Sequence, residues 1–233
     1  MAINHEMNYY NYGKTLSAEG IIIPLSPKGK KESHEYVDLG LSVKWATCNI
    51  GASAPEETGL YFAWGETSGY TAEQVGTDKN FSEEDYLFNP SGTTGYTPSR
   101  YNNTDHLTVL MPEDDAATVN WGEGWRMPTK EEFDELIANT TSSWTEVNGV
   151  SGLLFTSTVE GYEEESLFFP AVGGAEDGGV GGVGDYGGYW SASLGSEDVS
   201  SACDLSFDSG YCGVLDKSRY CGCAVRPVSS QNL

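Results

Sequence analysis

Polar and apolar positions alternate in the segment EYVDLGLSVKWATCNIG, where Val43, Trp45 and Thr47 fall on one side, and a period of two predicts a half-buried strand. Short strand-like runs return from Trp144 onward in GLLFTS, SLFFPAVGG, GGYWSAS, ACDLSFDSG and CAVRPV, separated by glycine-rich joints. In DLSFDSG, Leu205 and Phe207 alternate with Ser206 and Asp208, so one side is apolar and the other polar. Two segments carry helical signals instead. Pro112 suits the first position of a helix over 112–121, with Glu113, Asp114 and Asp115 in its first turn and Gly122 and Gly124 ending it. In MPTKEEFDELIANT, Thr129 and Glu132 form a capping box, Phe133, Leu136 and Ile137 share one face, and the helix stops near Asn139. Residues 65–108 are rich in Gly, Ser, Thr, Asn and Tyr with weak periodicity. So long a stretch predicts an inserted or ligand-facing excursion with short strands. Strand, two helices, then many short strands and extensive loops: this order predicts the α+β class.

Length and composition set the organisation. The chain has 233 residues, 12% of them aromatic, enough for one substantial core. Residues 1–33 stand apart, holding MNYYNYG, IIIPL and the basic cluster Lys28, Lys30 and Lys31. They read as an extension for attachment or self-association, with a homotrimer the expected assembly, and residues 34–233 read as the folded domain. The first residues, MAINHEMNYYNYGK, lack a positive region followed by an apolar core, so no secretory signal is expected, and no apolar run is long enough to span a membrane. Thirty-five acidic residues face 12 Lys and Arg, a formal net charge of -23, with no basic residue from Glu131 to Asp216. Such a surface repels phosphate backbones and anionic lipid, which excludes nucleic acid and membrane insertion as partners.

Candidate chemistry is sparse. His5, His34 and His106 are isolated from one another, no nucleophile elbow is present, and the runs Glu113/Asp114/Asp115 and Glu163/Glu164/Glu165 are what an acidic surface produces. Cys48, Cys203, Cys212, Cys221 and Cys223 are odd in number and lack zinc-ribbon spacing, so free thiols are expected ahead of a disulfide or zinc. Glu176, Asp177 and Asp185 flank a glycine-rich turn and offer calcium ligand types, but a solvated loop explains the same composition, and no cofactor is expected. Arg126 and Arg226 are isolated cations in acidic and apolar surroundings and call for fixed partners. Arg226, before Pro227, reads as a structural arginine bonding a carboxylate or loop carbonyls.

Several segments carry a resemblance in order from about residue 34 to 228: HEYVDLGLSVKWATCNIG, YFAWGET, EDDAATVNWGEGWRMPTKEEFDEL, FFPAVGG, GGYWSAS and CGCAVRPV. Together they resemble the Fibrobacter succinogenes major paralogous domain of gut bacteria, which is similar to the formylglycine-generating-enzyme type of C-type lectin fold. That resemblance implies a C-type lectin fold with two helices, short antiparallel strands and extensive loops. It also implies kinship with the variable proteins of diversity-generating retroelements, in which Gly188, Tyr189, Trp190 and Ser191 match the fixed strand entering the binding region and Val225, Arg226 and Pro227 its exit. The implied ligand-binding positions are Ser193, Ser200, Ser201, Cys203, Asp208, Tyr211, Cys212, Asp216, Tyr220, Cys221 and Cys223, all residue types reachable from asparagine codons by adenine substitution. The function so implied is a non-enzymatic adhesin on a phage tail or bacterial surface that binds a protein or glycan receptor. The alternatives are an invariant structural domain and, behind it, a formylglycine-generating-type enzyme, whose cysteine arrangement Cys221-Gly222-Cys223 does not reproduce.

Overall fold

The computed structural model describes residues 34–196 and 198–230, together with the backbone of three short strands before them. Those three are β1 (Thr15–Leu16) and β2 (Ile22–Ile23), which pair with each other, and β3 (Gly29–Lys31). The rest of the 1–33 extension, and with it the expected role in self-association, lies outside the described residues. β4 (His34–Val37) pairs antiparallel with β3, so the boundary drawn after Ser33 falls inside a strand pair. β5 (Lys44–Ala46) continues the sheet. Where alternation predicts one strand, the chain therefore makes two, because Asp38 turns it by accepting from the Gly40 amide and pairing with Lys44. Two helices follow, α1 (Ala116–Trp121) and α2 (Lys130–Ala138), then the antiparallel sheet of β6 (Thr140–Val147), β7 (Val150–Ser157) and β8 (Ser166–Pro170). A small hairpin, β9 (Gly174–Glu176) and β10 (Gly179–Gly181), precedes a second three-stranded meander of β11 (Tyr186–Leu194), β12 (Ser201–Asp208) and β13 (Cys212–Ser218). β14 (Val228–Ser229) then returns to pair with β5. The class is α+β with small antiparallel sheets, and no described helix is long and apolar enough to cross a membrane.

Helix α2 has both halves of its capping box, Thr129 Oγ1 accepting from the Glu132 amide and Glu132 accepting from the Thr129 amide. The same Glu132 carboxylate takes the Arg126 guanidinium in a two-pronged pair, which is the fixed partner that arginine needs. Phe133 and Leu136 are buried against Trp45 and its neighbours, and the helix stops at Asn139. The helix expected over 112–121 is divided. Pro112–Asp114 form a single 3-10 turn, and Asp115, expected in the first helical turn, is instead the N-cap of α1. Its buried carboxylate accepts from the amides of Thr118 and Met127, and that second bond, from outside the helix, fixes the break.

The β11–β12–β13 sheet divides the apolar interior in two. Register places Tyr189 opposite Leu205 and Gly187 opposite Phe207, and these rings join the core under β7, β8 and α2. The alternate residues Trp190, Ala192 and Ala202 point the other way, into a second core built largely from residues 50–127. That second core changes the picture of the 65–108 excursion. Beyond the isolated bridges Tyr61–Tyr70 and Val75–Lys79, the described stretch forms no strands. It is nonetheless anchored, since Val75, Phe81, Tyr86, Phe88 and Tyr101 are buried. Side chains replace ladders in satisfying its backbone: Asp85 accepts from the amides of Asn80 and Ser82, Asp105 from those of Tyr101, Asn102 and Leu107, and Asn89 from those of Ser91 and Gly92.

Two buried arginines bind the loops to this frame without any carboxylate. Arg226 donates to Asn49 Oδ1 and to the carbonyls of Ala46, Thr47 and Phe168, with its guanidinium 4.6 Å from the Phe169 ring centre. Of the two partner types expected for it, the carbonyls are the ones present. Arg219 donates to the Tyr86 hydroxyl and to the carbonyls of Arg100, Tyr101 and Val199, inside a box of Trp64, Tyr86, Phe88 and Tyr101 rings.

Candidate functional site

The eleven positions implied by resemblance occupy β11 to β13 and the turns around them, but they do not share one surface. Four are buried. Ser193 Oγ accepts from the Lys130 amide at the start of α2, and Cys203 donates to Asp216 and the Leu194 carbonyl at 3.5 Å each. Cys221 and Cys223 are packed in the core on the far side of the sheet. These four side chains are not available as surface contacts. Cys212 is half-buried against the α2-side core. Ser200 and Ser201 are half-buried in the β11–β12 turn, organised by Asp198, and the exposed Asp216 accepts from the Ser196 amide in the same region. Asp208 and Tyr211 form the exposed tip of the β12–β13 hairpin, where Asp208 accepts from the Gly210 amide and the Tyr211 ring lies across Gly213. Tyr220 reaches Glu176 at 3.4 Å.

Strand alternation sorts the rest. Asp204, Ser206 and Asp208 lie on one face with Leu215 and Lys217, whereas Cys203, Asp216 and Cys212 lie on the other. On the first face, β13 extends beyond the covered part of the sheet, and Leu215 is 46% exposed beside a hairpin tip whose Tyr211 is 47% exposed. Next to it a pocket of about 310 Å³ opens between the β9–β10 hairpin, Tyr186 and Lys217. The glycines of EDGGVGGVGDYGG have a use here. Gly182 has a φ of +70°, and a side chain on it would collide with the Tyr186 ring, which lies against the hairpin only because none is there.

Electrostatics tie this corner together. Burial pushes the Asp204 carboxyl up to about 7, opposed by Lys217. Cys223 and, after the opposing effect of burial, Asp204 hold the Lys217 ammonium above its ordinary range, so it is charged at any working pH. The thiols move the other way from a nucleophile. Burial raises Cys203 and Cys221 to about 12, Cys212 to about 11, and Cys223 well above its ordinary value. Around Glu176, Asp177 and Asp185, as elsewhere among the described residues, no group of three or more His, Cys, Asp or Glu side chains is placed to hold a metal ion.

Sequence reasoning missed Lys217, Leu215, Tyr186 and Asp204. Lys217 had a visible signal, since it ends a span of more than eighty residues without a positive charge. Asp204 had none, because the alternation that exposes Ser206 and Asp208 gives no hint that Asp204 on the same face is covered. Comparison of the chain with family models, curated proteins and solved structures finds no match.

Proposed function

We propose that this chain is a non-catalytic ligand-binding module of the C-type lectin kind, an adhesin of a phage tail or bacterial surface that holds a protein or glycan receptor on the β12–β13 side of its second meander. The observation that carries the reading is the pairing of a rigid frame with an open strand. Trp190, Arg219 and Arg226 are fully buried and bonded, while Tyr211 and Leu215 a few positions away leave nearly half their surface to solvent. Amphipathic Tyr on a fixed hairpin, with Asp208 beside it, is the arrangement that yields contact area at low entropic cost. Diversification by a retroelement fits Asp208, Tyr211 and Asp216, whose exposed side chains tolerate replacement, and does not fit Ser193, Cys203, Cys221 or Cys223, where new side chains would disturb packing. Protonated, buried thiols favour binding over the thiolate chemistry of a formylglycine-type enzyme.

The test is a screen of the full chain against bacterial surface glycans and proteins, followed by affinity and melting measurements on Tyr211→Ala and Leu215→Ser. Loss of an anchor of this kind costs about 2 kcal/mol in binding, roughly thirtyfold, with the melting temperature unchanged. Full affinity in both folded variants would overturn the assignment of this face.

A further inference from the structure

Charge pairing in this protein has one conspicuous exception. Of the eight described Lys and Arg residues, Lys44, Lys79, Arg100, Arg126 and Lys130 are in ion pairs with carboxylates, and Arg219 and Arg226 donate to carbonyls and to hydroxyl or amide oxygens, although Arg226 Nη2 has no partner. The Lys217 side chain alone among them makes no hydrogen bond or ion pair with a described residue, although its main chain pairs with Ala202 in the sheet. Its ammonium is half-buried in the wall of the 310 Å³ pocket. Asp204, on the same face and only 2% exposed, is also without a side-chain partner, and the two remain farther apart than an ion pair. Burial keeps Asp204 partly protonated near neutrality, so it neutralises the lysine only in part. A half-buried ammonium whose three donors have no hydrogen-bonded partner, facing an open pocket, is a donor site that an anion can complete.

The rest of the pocket narrows the anion. Apart from Ala175 and Val180 its walls offer polar groups: the Glu176 carboxylate, the Tyr186 phenol and main chain at the hairpin glycines. Because Ala175 bonds outward to Gly222, the hydrogen-bonded pairs of the β9–β10 hairpin are Glu176 with Gly179 and Gly174 with Gly181. That alternation turns the Val180 N–H and C=O away from β9, to the outer edge. Carboxylate, phenol and edge peptide groups are partners for hydroxyls, and the volume suits one sugar ring better than an apolar side chain. A polyanion is disfavoured by the -23 charge of the chain, which opposes every negative charge beyond the one that Lys217 takes.

We infer that this pocket binds an acidic sugar residue, a uronic or sialic acid, with its carboxylate on Lys217 and its hydroxyls on Glu176, Tyr186 and the Val180 edge. The inference rests on the binding reading above and names the ligand class of a neighbouring subsite. The experiment titrates the full chain with glucuronic acid, N-acetylneuraminic acid, glucose and acetate, following amide shifts of residues 174–186 and 217 by NMR. At least one sugar acid should shift these signals, with glucose and acetate each weaker by roughly ten- to hundredfold. Lys217→Met should abolish the preference for acid over neutral sugar, and Glu176→Gln should narrow the advantage of the sugar acids over acetate, because it removes a hydroxyl acceptor that acetate does not use. No shift with either sugar acid, equal binding of glucose, or undiminished binding by folded Lys217→Met would overturn the inference. An acetate response equal to that of the sugar acids would also overturn it, reducing the pocket to a simple carboxylate site. None of these outcomes bears on Tyr211 and Leu215, whose variants test the broader reading separately.

Discussion

Replacing Arg219 by methionine tests how the long excursion is fastened to the sheet. Methionine keeps most of the buried stem but removes a guanidinium that donates to three main-chain carbonyls, those of Arg100 at 3.1 Å, Tyr101 at 3.3 Å and Val199 at 2.9 Å, and to the Tyr86 hydroxyl at 2.9 Å. The hydroxyl still donates to the Trp64 carbonyl, so its loss is small. Three carbonyls left unbonded, that of Tyr101 buried and those of Arg100 and Val199 part-buried, cost about 1 kcal/mol each at most. Loss of the ring contacts, the nearest being Trp64 at 4.6 Å, adds about 1 kcal/mol or more. Relief from desolvating the cation works in the opposite direction. The expected net loss is about 3 kcal/mol, a large part of the 5–15 kcal/mol typical of a whole domain. Urea unfolding measures the total, and amide exchange should place the loosening at residues 85–110 and 198–201. A methionine variant within about 0.5 kcal/mol of the parent would refute the reasoning, because it would mean that the carbonyls find water or that cation desolvation cancels every bond.

Two other outcomes follow from the buried groups. Asp204 holds its proton up to about pH 7 in the folded chain but releases it near pH 4 when unfolded, so its contribution is full below pH 4 and is lost as the pH rises through 7. Asp204→Asn should therefore gain stability over the parent between pH 4 and 8, by up to about 4 kcal/mol, in parallel melts; a constant difference across that range would refute the shift. Of the five free cysteines, only the half-buried Cys48 and Cys212 should alkylate in the folded protein at pH 8, with all five reacting in denaturant. Rapid native labelling of Cys221 or Cys223 would instead show a thiolate and restore the enzyme alternative.

What could be read in the sequence was what depends on near neighbours. The Thr129–Glu132 box, the stop at Asn139 and the Leu205/Phe207 alternation each need only a few residues of context, and the structure has all three. The 112–121 stretch carries helical signals throughout, but its break comes from the Asp115 bond to Met127, twelve residues on. The role of Arg219 is hidden for a similar reason, since its carbonyl partners at 100 and 101 lie more than a hundred positions away. Of the site, alternation marks Asp208 as outward-facing, but residue type alone could not separate Cys203 and Cys223, buried on opposite sides of the sheet, from positions that face solvent.

Neither interior arginine depends on an acidic side chain. Oxygens of the main chain, of Tyr86 and of Asn49 hold them, so these bonds do not change when surface acids are exchanged. Two kinds of fastening thus coexist: exchanging surface acids would undo the turns that Asp85 and Asp105 hold, but would leave the arginine anchors beneath them in place.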